Sequence, residues 1–239
     1  MMRRSALLGA LGACTALGAC ASREGRGAPS SAHASGSPVV IVTLGDSLAL
    51  GVGASAPRNG FIFRSFVRVL AERPGSRIES YAIGGATAAD VLRLQVPRLA
   101  HARADAVVLC AGGNDVVHRV DPKTFAATYA RLVARVRSLQ PHAALVCCGV
   151  PDVGLSPLFT GADHEAVVRL SRQDDAAVRS VARSAGAAFA DLGGATALDA
   201  MRYLADDRFH PSDAGYAAFA AVLTPVLRDA LARRAPRAR

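Results

Sequence analysis

The chain contains no tryptophan, and only 5% of its 239 residues are aromatic, although 51% are hydrophobic. Small aliphatic residues, alanine above all, must therefore fill the core of what its length suggests is one domain. Lysine is almost absent as well, since Lys123 is the only one in the sequence. Arginine therefore supplies nearly all of the positive charge, and the net charge is +9. These arginines are scattered rather than clustered with aromatic residues, so we expect a solvated basic surface and no nucleic-acid partner.

Metal-binding and disulfide patterns are missing too. The sequence has neither paired CxxC motifs nor an HExxH motif. Cys110, Cys147 and Cys148 all lie within apolar runs, which predicts buried free thiols rather than bridged or metal-bound sulfur. We therefore expect no metal site and no organic cofactor.

The apolar run near the N-terminus is short. It covers residues 5–19 after a basic start, whereas a membrane-spanning helix needs about 20 apolar residues. This pattern is typical of an export signal that is removed. We expect residues 1–21 to be a signal peptide and the mature protein to function outside the cytoplasm.

The end of this segment, Leu17-Gly18-Ala19-Cys20, resembles the lipobox of bacterial lipoproteins. The resemblance implies lipidation at Cys20 and membrane anchoring through that lipid. Residues 11–14 fit the same pattern but leave a much shorter apolar stretch. Ordinary cleavage after Ala21, which would give a freely secreted protein, is the competing interpretation.

Residues 22–37 are rich in Ser, Gly and Ala and have no apolar periodicity, which predicts a flexible linker. The folded domain is then expected over residues 38–235. Within it, strands are predicted at residues 39–44, 77–82, 106–111, 144–150 and 187–192, and helices at residues 61–72, 88–100, 122–140, 164–185 and 212–234.

This alternation of strands and helices indicates βαβ units. We predict an α/β fold, a three-layer α/β/α sandwich with a central, mostly parallel five-stranded sheet. Five strands suit a flavodoxin-like arrangement, although the sequence does not determine their order.

Polar residues with catalytic potential follow several predicted strands, where ligands bind in parallel sheets. Ser47 follows the first strand, but a serine hydroxyl needs a base, usually a histidine oriented by a carboxylate. Asp207 and His210 are three residues apart before the last helix, so one tight turn lets the carboxylate hold the imidazole. We predict Ser47 as nucleophile and Asp207 and His210 as its partners, with Asp206 as the alternative carboxylate.

A developing oxyanion also needs preorganised donors. The candidates are the Ser47 amide, the Gly85 amide and the Asn114 side chain. We expect structural roles for Asp46 and Asp115 and a surface position for His118.

The blocks that hold these residues resemble those of SGNH hydrolases, the GDSL-type esterases and lipases. The matching segments read GDSL at 45–48, IGGAT at 83–87, GGND at 112–115 and DRFHP at 207–211. The resemblance implies a triad of Ser47, Asp207 and His210, and an oxyanion hole formed by Ser47, Gly85 and Asn114.

The expected function is that of an exported serine esterase that hydrolyses carboxylic esters with short to medium acyl chains through an acyl-enzyme. The loop over residues 150–163 is the expected wall of the acyl pocket, with Leu155, Leu158 and Phe159 lining it. The sequence has no long insertion that would form a lid, so we expect an open site that acts on soluble esters.

Three alternatives stay open. The substrate is either a small-molecule or lipid ester, or else an acetylated carbohydrate. An acetylated carbohydrate would make the protein a carbohydrate O-acetyl esterase. An acyltransferase of the same fold and a non-catalytic envelope lipoprotein are the others.

Overall fold

The computed structural model describes residues 36–194 and 200–234. The predictions for the signal peptide, for Cys20 and for nearly all of the linker fall outside these residues and stay predictions. No helix in the described ranges is long and apolar enough to cross a membrane.

Five parallel strands form one sheet. They are β1 (Val40–Gly45), β2 (Arg77–Ser80), β3 (Ala106–Cys110), β4 (Ala144–Cys148) and β5 (Ala188–Ala190). Their spatial order is β2-β1-β3-β4-β5, the flavodoxin-like order of doubly wound sheets. The predicted α/β fold is confirmed, and the sheet is parallel throughout.

The helices differ widely in length. They are α1 (Ser47–Leu50), α2 (Phe61–Glu72), α3 (Ala88–Asp90), α4 (Gly113–Val117), α5 (Pro122–Leu139), α6 (Gly161–Ser184), α7 (Ala200–Tyr203) and α8 (Asp213–Ala232). The longer ones agree with the predicted helices to within a few residues, whereas α1, α4 and α7 were not predicted.

Successive strand residues point into two separate cores, as a sheet covered on both faces requires. Val42 and Leu44 of β1 belong to the core beneath α5 and α6, while Ile41 of the same strand belongs to the core beneath α2 and α8. All three of these residues are fully buried. Two helical layers therefore sandwich the sheet. Cys110, Cys147 and Cys148 are buried free thiols within it, as predicted.

The predicted single helix over residues 88–100 is wrong. The segment contains α3, a π-helical turn (Val91–Gln95) and a 3₁₀ helix (Val96–His101). Pro97 stands at the start of the 3₁₀ helix, and proline cannot donate the hydrogen bond that would continue an α-helix. The buried Gln95 side chain also bonds the backbone N–H and C=O of Gly45, both at 2.8 Å, which fixes the π turn against the end of β1.

Candidate active site

The end of β1 brings Ser47 to the carboxyl edge of the sheet. Asp46 is the N-cap of α1, where its Oδ1 accepts a hydrogen bond from the Leu48 amide at 2.9 Å. Ser47 is therefore the first residue of a helix. Amides in a first helical turn lack intrahelical acceptors, so the helix itself provides no partner for the Ser47 N–H.

Asp207 and His210 lie on a turn just before α8. Oδ1 of Asp207 accepts the amides of Phe209 and His210, each at 2.9 Å, and Oδ2 lies 2.6 Å from Nδ1 of His210. Partial burial alone would raise the pKa of Asp207, but these hydrogen bonds outweigh it and lower that pKa. The carboxylate is thus held in its ionised form against the imidazole.

The turn also brings His210 to Ser47. Nε2 of His210 lies 3.0 Å from Oγ of Ser47, within hydrogen-bonding distance. An ionised carboxylate only accepts hydrogen bonds, so the ring proton resides on Nδ1 and leaves Nε2 to accept the serine proton. The structure therefore places Ser47, His210 and Asp207 in one continuous chain of contacts.

Asn114, the second residue of α4, extends its side chain towards the same place. Its Nδ2 donates to the carbonyl of Ala86 at 3.1 Å and, over a longer distance of 3.4 Å, to Oδ2 of Asp46. Asn114 and Ser47 both line one pocket.

Gly85 lies on the neighbouring loop after β2. Its φ of +76° falls in the left-handed region that glycine tolerates best, in a turn closed by the Ala86 amide on the Ile83 carbonyl. That loop is tied to α4 by Asn114 and by Asp115, whose Oδ2 accepts the Ala88 amide at 2.9 Å. Gly85 is exposed and is not among the residues that line the pocket, so its oxyanion role rests on the resemblance alone.

Two buried carboxyl groups lie beneath the site. Burial raises the pKa of Asp46 to about 7, against the lowering effect of the Leu48 amide and with a further rise from the charge of Asp115. Burial likewise raises the pKa of Asp115 to about 6. Both bond backbone amides, in agreement with the structural roles expected for them.

The pocket beside Ser47 has a cavity volume of about 70 Å³. Its apolar walls come from loops after β1, β4 and β5 and include Leu48, Pro151, Val153, Leu155, Leu204 and Phe209. Of the three residues predicted to line it, Leu155 does so.

Leu158 and Phe159 do not line this pocket. Leu158 is 51% exposed. The Phe159 ring packs against the ring of Phe209 at 6.5 Å and lies beneath the guanidinium of Arg119. Phe159 therefore packs against the pocket-lining residue Phe209 without lining the pocket itself.

His118 is exposed at the end of α4, as predicted, and Asp206 is exposed beside the turn. Sequence reasoning missed Gly53, where a β-carbon would lie 2.7 Å from Cβ of His210. Its only signal is its place in a glycine-containing loop after Ser47.

Contact between Ser, His and Asp side chains is a constellation that recurs on unrelated folds, parallel α/β sandwiches among them. The chain belongs to the GDSL-like lipase/acylhydrolase family, whose model matches residues 43–218.

Individual relatives agree with this family. The chain is 34% identical over 213 residues to a GDSL-like esterase of Mycobacterium tuberculosis, a match that covers 82% of this chain and 64% of that protein. The chain thus spans less than two thirds of that relative's length.

Solved structures share the fold at low identity. An esterase from Pseudoalteromonas sp. superposes with a TM-score of 0.64 at 16% identity, over 82% of this chain and 100% of that one. An acetyl xylan esterase from Geobacillus stearothermophilus superposes with a TM-score of 0.60 at 21% identity, over 85% and 99%.

Proposed function

We propose that the protein is a serine esterase that hydrolyses carboxylic esters with short acyl chains. The observation that carries this proposal is the contact chain from Ser47 Oγ through the imidazole of His210 to Asp207, with distances of 3.0 and 2.6 Å. This chain supplies both the base that a serine needs and the carboxylate that orients it.

The reaction has two steps. Ser47 Oγ attacks the ester carbonyl carbon while its proton passes to Nε2 of His210, and the same proton then protonates the departing alkoxide as the C–O bond breaks. Water next attacks the acyl-enzyme, gives a proton to His210 and releases the acid, and that proton returns to Ser47. Asp207 remains ionised and stabilises the imidazolium formed in each step.

Oxyanion stabilisation falls to the Ser47 amide and the Asn114 side chain, with the Gly85 amide as the donor that the family resemblance adds. Nδ2 of Asn114 has one firm bond, to Ala86, and one long contact, to Asp46. The second hydrogen is the one that the oxyanion would take over. Because burial raises the pKa of Asp46 to about 7, this carboxyl group is a weak competitor once protonated.

The size of the pocket supports the acyl-chain preference. A cavity of about 70 Å³ is small compared with the roughly 300–1,000 Å³ of typical ligand pockets, so it favours a short acyl chain. We expect acetyl to hexanoyl esters to fit and long fatty acyl chains to extend out of the pocket.

A series of p-nitrophenyl esters from acetate to palmitate tests this proposal. We expect kcat/KM to be highest at short chains and to fall beyond about six carbons, with no jump in rate when a short ester exceeds its solubility limit. The Ser47→Ala variant is the control for uncatalysed hydrolysis. Equal rates for the variant and the wild type would refute the esterase, whereas a maximum at palmitate would refute only the chain-length preference.

A carbohydrate O-acetyl esterase is the second candidate. The small cavity accommodates an acetyl group, and one structure with this fold is an acetyl xylan esterase. Acetate release from acetylated oligosaccharides, compared with turnover of p-nitrophenyl butyrate, separates the two. A higher kcat/KM on the acetylated sugar would favour the carbohydrate esterase.

We further propose that the protein is exported and anchored through a lipid on Cys20, on the basis of the lipobox-like sequence. Mass spectrometry of the protein isolated from its cell envelope tests this. A lipid-modified N-terminal peptide beginning at Cys20 supports anchoring, and an unmodified peptide beginning after Ala21 supports secretion.

A further inference from the structure

We propose that Ser156 is a positioning residue that holds the turn carrying Asp207 and His210. Its hydroxyl donates a hydrogen bond to the backbone carbonyl of Arg208 at 2.7 Å, across 52 positions of sequence. The inference rests on the proposed esterase function, because it assigns Ser156 a task in that same site. Ser156 does so through Arg208 and has no bond to Ser47 or His210 among its described contacts.

The turn needs an external hold because of its backbone. Arg208 has a φ of +57°, a left-handed conformation that a residue with a β-carbon disfavours. Arg208 follows Asp207 directly, so relaxation of this residue would move the carboxylate away from the Phe209 and His210 amides. Within the turn, the Arg208 amide bonds the Ala205 carbonyl and the Ala205 amide bonds the His210 carbonyl, both at 2.8 Å.

Neither of these local bonds involves the Arg208 carbonyl. Among the hydrogen bonds in the described residues, this carbonyl accepts one from Ser156 alone. Ser156 reaches this carbonyl from the loop after β4 and is itself buried, with 3% of the residue exposed.

Ser156 is itself well anchored. It follows the 3₁₀ turn Val153–Leu155, which is capped by Asp152 through a 2.9 Å bond from the Gly154 amide. The Val153 amide also donates to the buried hydroxyl of Ser171 on α6 at 3.1 Å. The Ser156 oxygen accepts the Leu158 amide at 3.3 Å, which directs its own hydrogen towards Arg208. A rigid base thus holds a strained turn.

The same segment also forms the pocket. Leu155 and Ser156 both line it, so one short stretch supports the wall beside the acyl group and the backbone beneath the base. Because the hydroxyl itself bonds the backbone of the turn that carries His210, we expect its loss to affect the chemical step more than substrate binding.

The test compares Ser156→Ala with the wild type on a short p-nitrophenyl ester. We expect kcat to fall about tenfold, the effect on a rate of losing roughly one buried hydrogen bond, while KM changes little. Ser65→Ala is the matched control, because Ser65 is also fully buried and bonds Thr224 on the other side of the sheet. It should lower the melting temperature without lowering kcat.

A double-mutant cycle separates positioning from general weakening. Glycine adopts the left-handed conformation without strain, so the Arg208→Gly background needs the Ser156 bond less. We expect the loss caused by Ser156→Ala to shrink in that background to less than about threefold. An equal loss in both backgrounds would overturn the inference.

The NMR signal of the Nδ1 proton of His210, assigned by its disappearance in His210→Gln, provides a readout that does not need ester turnover. We expect this signal to shift or broaden in Ser156→Ala. If the wild type hydrolyses no ester but the signal changes, the proposed function fails while the positioning contact stands. If kcat and the signal are both unchanged in Ser156→Ala, the positioning inference fails and the esterase is unaffected.

Discussion

Oγ of Ser47 lies 3.0 Å from Nε2 of His210, although 163 positions of sequence separate the two residues. Ser47 is held by the N-cap of α1, and His210 is held by a turn that Asp207 closes from within. Each half of the contact is built locally, and the sheet brings the halves together at one edge. The roles of the individual groups can therefore be tested one at a time.

Replacing Asp207 with asparagine should abolish most activity without unfolding the turn. Asparagine keeps an oxygen to accept the Phe209 and His210 amides, but it places an amide donor where Oδ2 now faces Nδ1. The ring would then carry its proton on Nε2, the wrong nitrogen for a base, so we expect kcat to fall about 10³–10⁴-fold. Steady-state kinetics measures this.

Asp206→Asn is the matched control, because Asp206 is the neighbouring carboxylate and is exposed. It should retain activity close to that of the wild type. A large loss in Asp206→Asn together with a small loss in Asp207→Asn would reassign the carboxylate that orients His210.

Removal of the Asn114 side chain should slow the chemical step. If its amide stabilises the oxyanion, Asn114→Ala should lower kcat by about 10²–10³-fold with little change in KM. Asn59→Ala is the control, since Asn59 bonds Ser55 and Asp213 outside the pocket. A change in KM alone would show that Asn114 binds substrate without stabilising the transition state.

Much of this architecture follows from the sequence, for identifiable reasons. The continuous apolar runs of β1, β3 and β4 mark strands buried on both faces, and the helical period of α2 predicts its bounds. The segment after Thr87 was misread because the apolar period does not reveal the bond from Gln95 to Gly45, which is a tertiary contact.

The site also contains residues that the sequence reveals and residues that only the folded structure reveals. Ser47, Asn114, Asp207 and His210 stand in recognisable short patterns, and the structure brings them together. Ser156 and Gly53 carry no local pattern, because each acts on a residue far away in sequence, Arg208 for the first and His210 for the second. Such positions become visible only when the loops are folded onto one another.

Gly53→Ala should lower activity by displacing His210. The added β-carbon would lie 2.7 Å from Cβ of His210 and 2.8 Å from the Pro211 carbonyl, so the histidine must move. Gly186→Ala is the matched control: Gly186 also has a positive φ, but a β-carbon there meets no atom within 4 Å.

Gly186→Ala should lose about 1–2 kcal/mol of folding stability from the disfavoured backbone conformation, and Gly53→Ala should lose more because its β-carbon also clashes. Only Gly53→Ala should also show a lower kcat, by about tenfold or more. A rise of about 1.4 kcal/mol in the activation barrier is enough for a tenfold decrease. Thermal denaturation and kinetics on the same samples separate the two effects. Wild-type kcat in Gly53→Ala would show that close packing of Gly53 against His210 is not needed to position the histidine.

The buried carboxyl of Asp174 on α6 should make stability depend on pH. The residue is fully buried, neither oxygen has a hydrogen-bond partner within the described part of the chain, and burial raises its pKa to about 7. A raised pKa means that the folded state holds the proton more tightly than the unfolded chain. The destabilisation therefore builds up as the pH rises from about 4 to about 7 and stays constant above that.

We expect Asp174→Asn to raise the melting temperature at pH 8 and to change it much less at pH 4. Glu165→Gln, an exposed acid on the same helix, should have little effect at either pH. Thermal denaturation across this range checks the sign. Stabilisation that is equal at both pH values would mean that the charge of Asp174 is not its cause.

Covalent labelling shows whether Ser47 is the nucleophile. The wild-type protein and Ser47→Ala would each be treated with a fluorophosphonate, and the adduct located by peptide mass spectrometry. We expect one adduct, on the Ser47 hydroxyl of the wild type, and none on the variant. An unlabelled wild type, or equal labelling of Ser47→Ala, would contradict it.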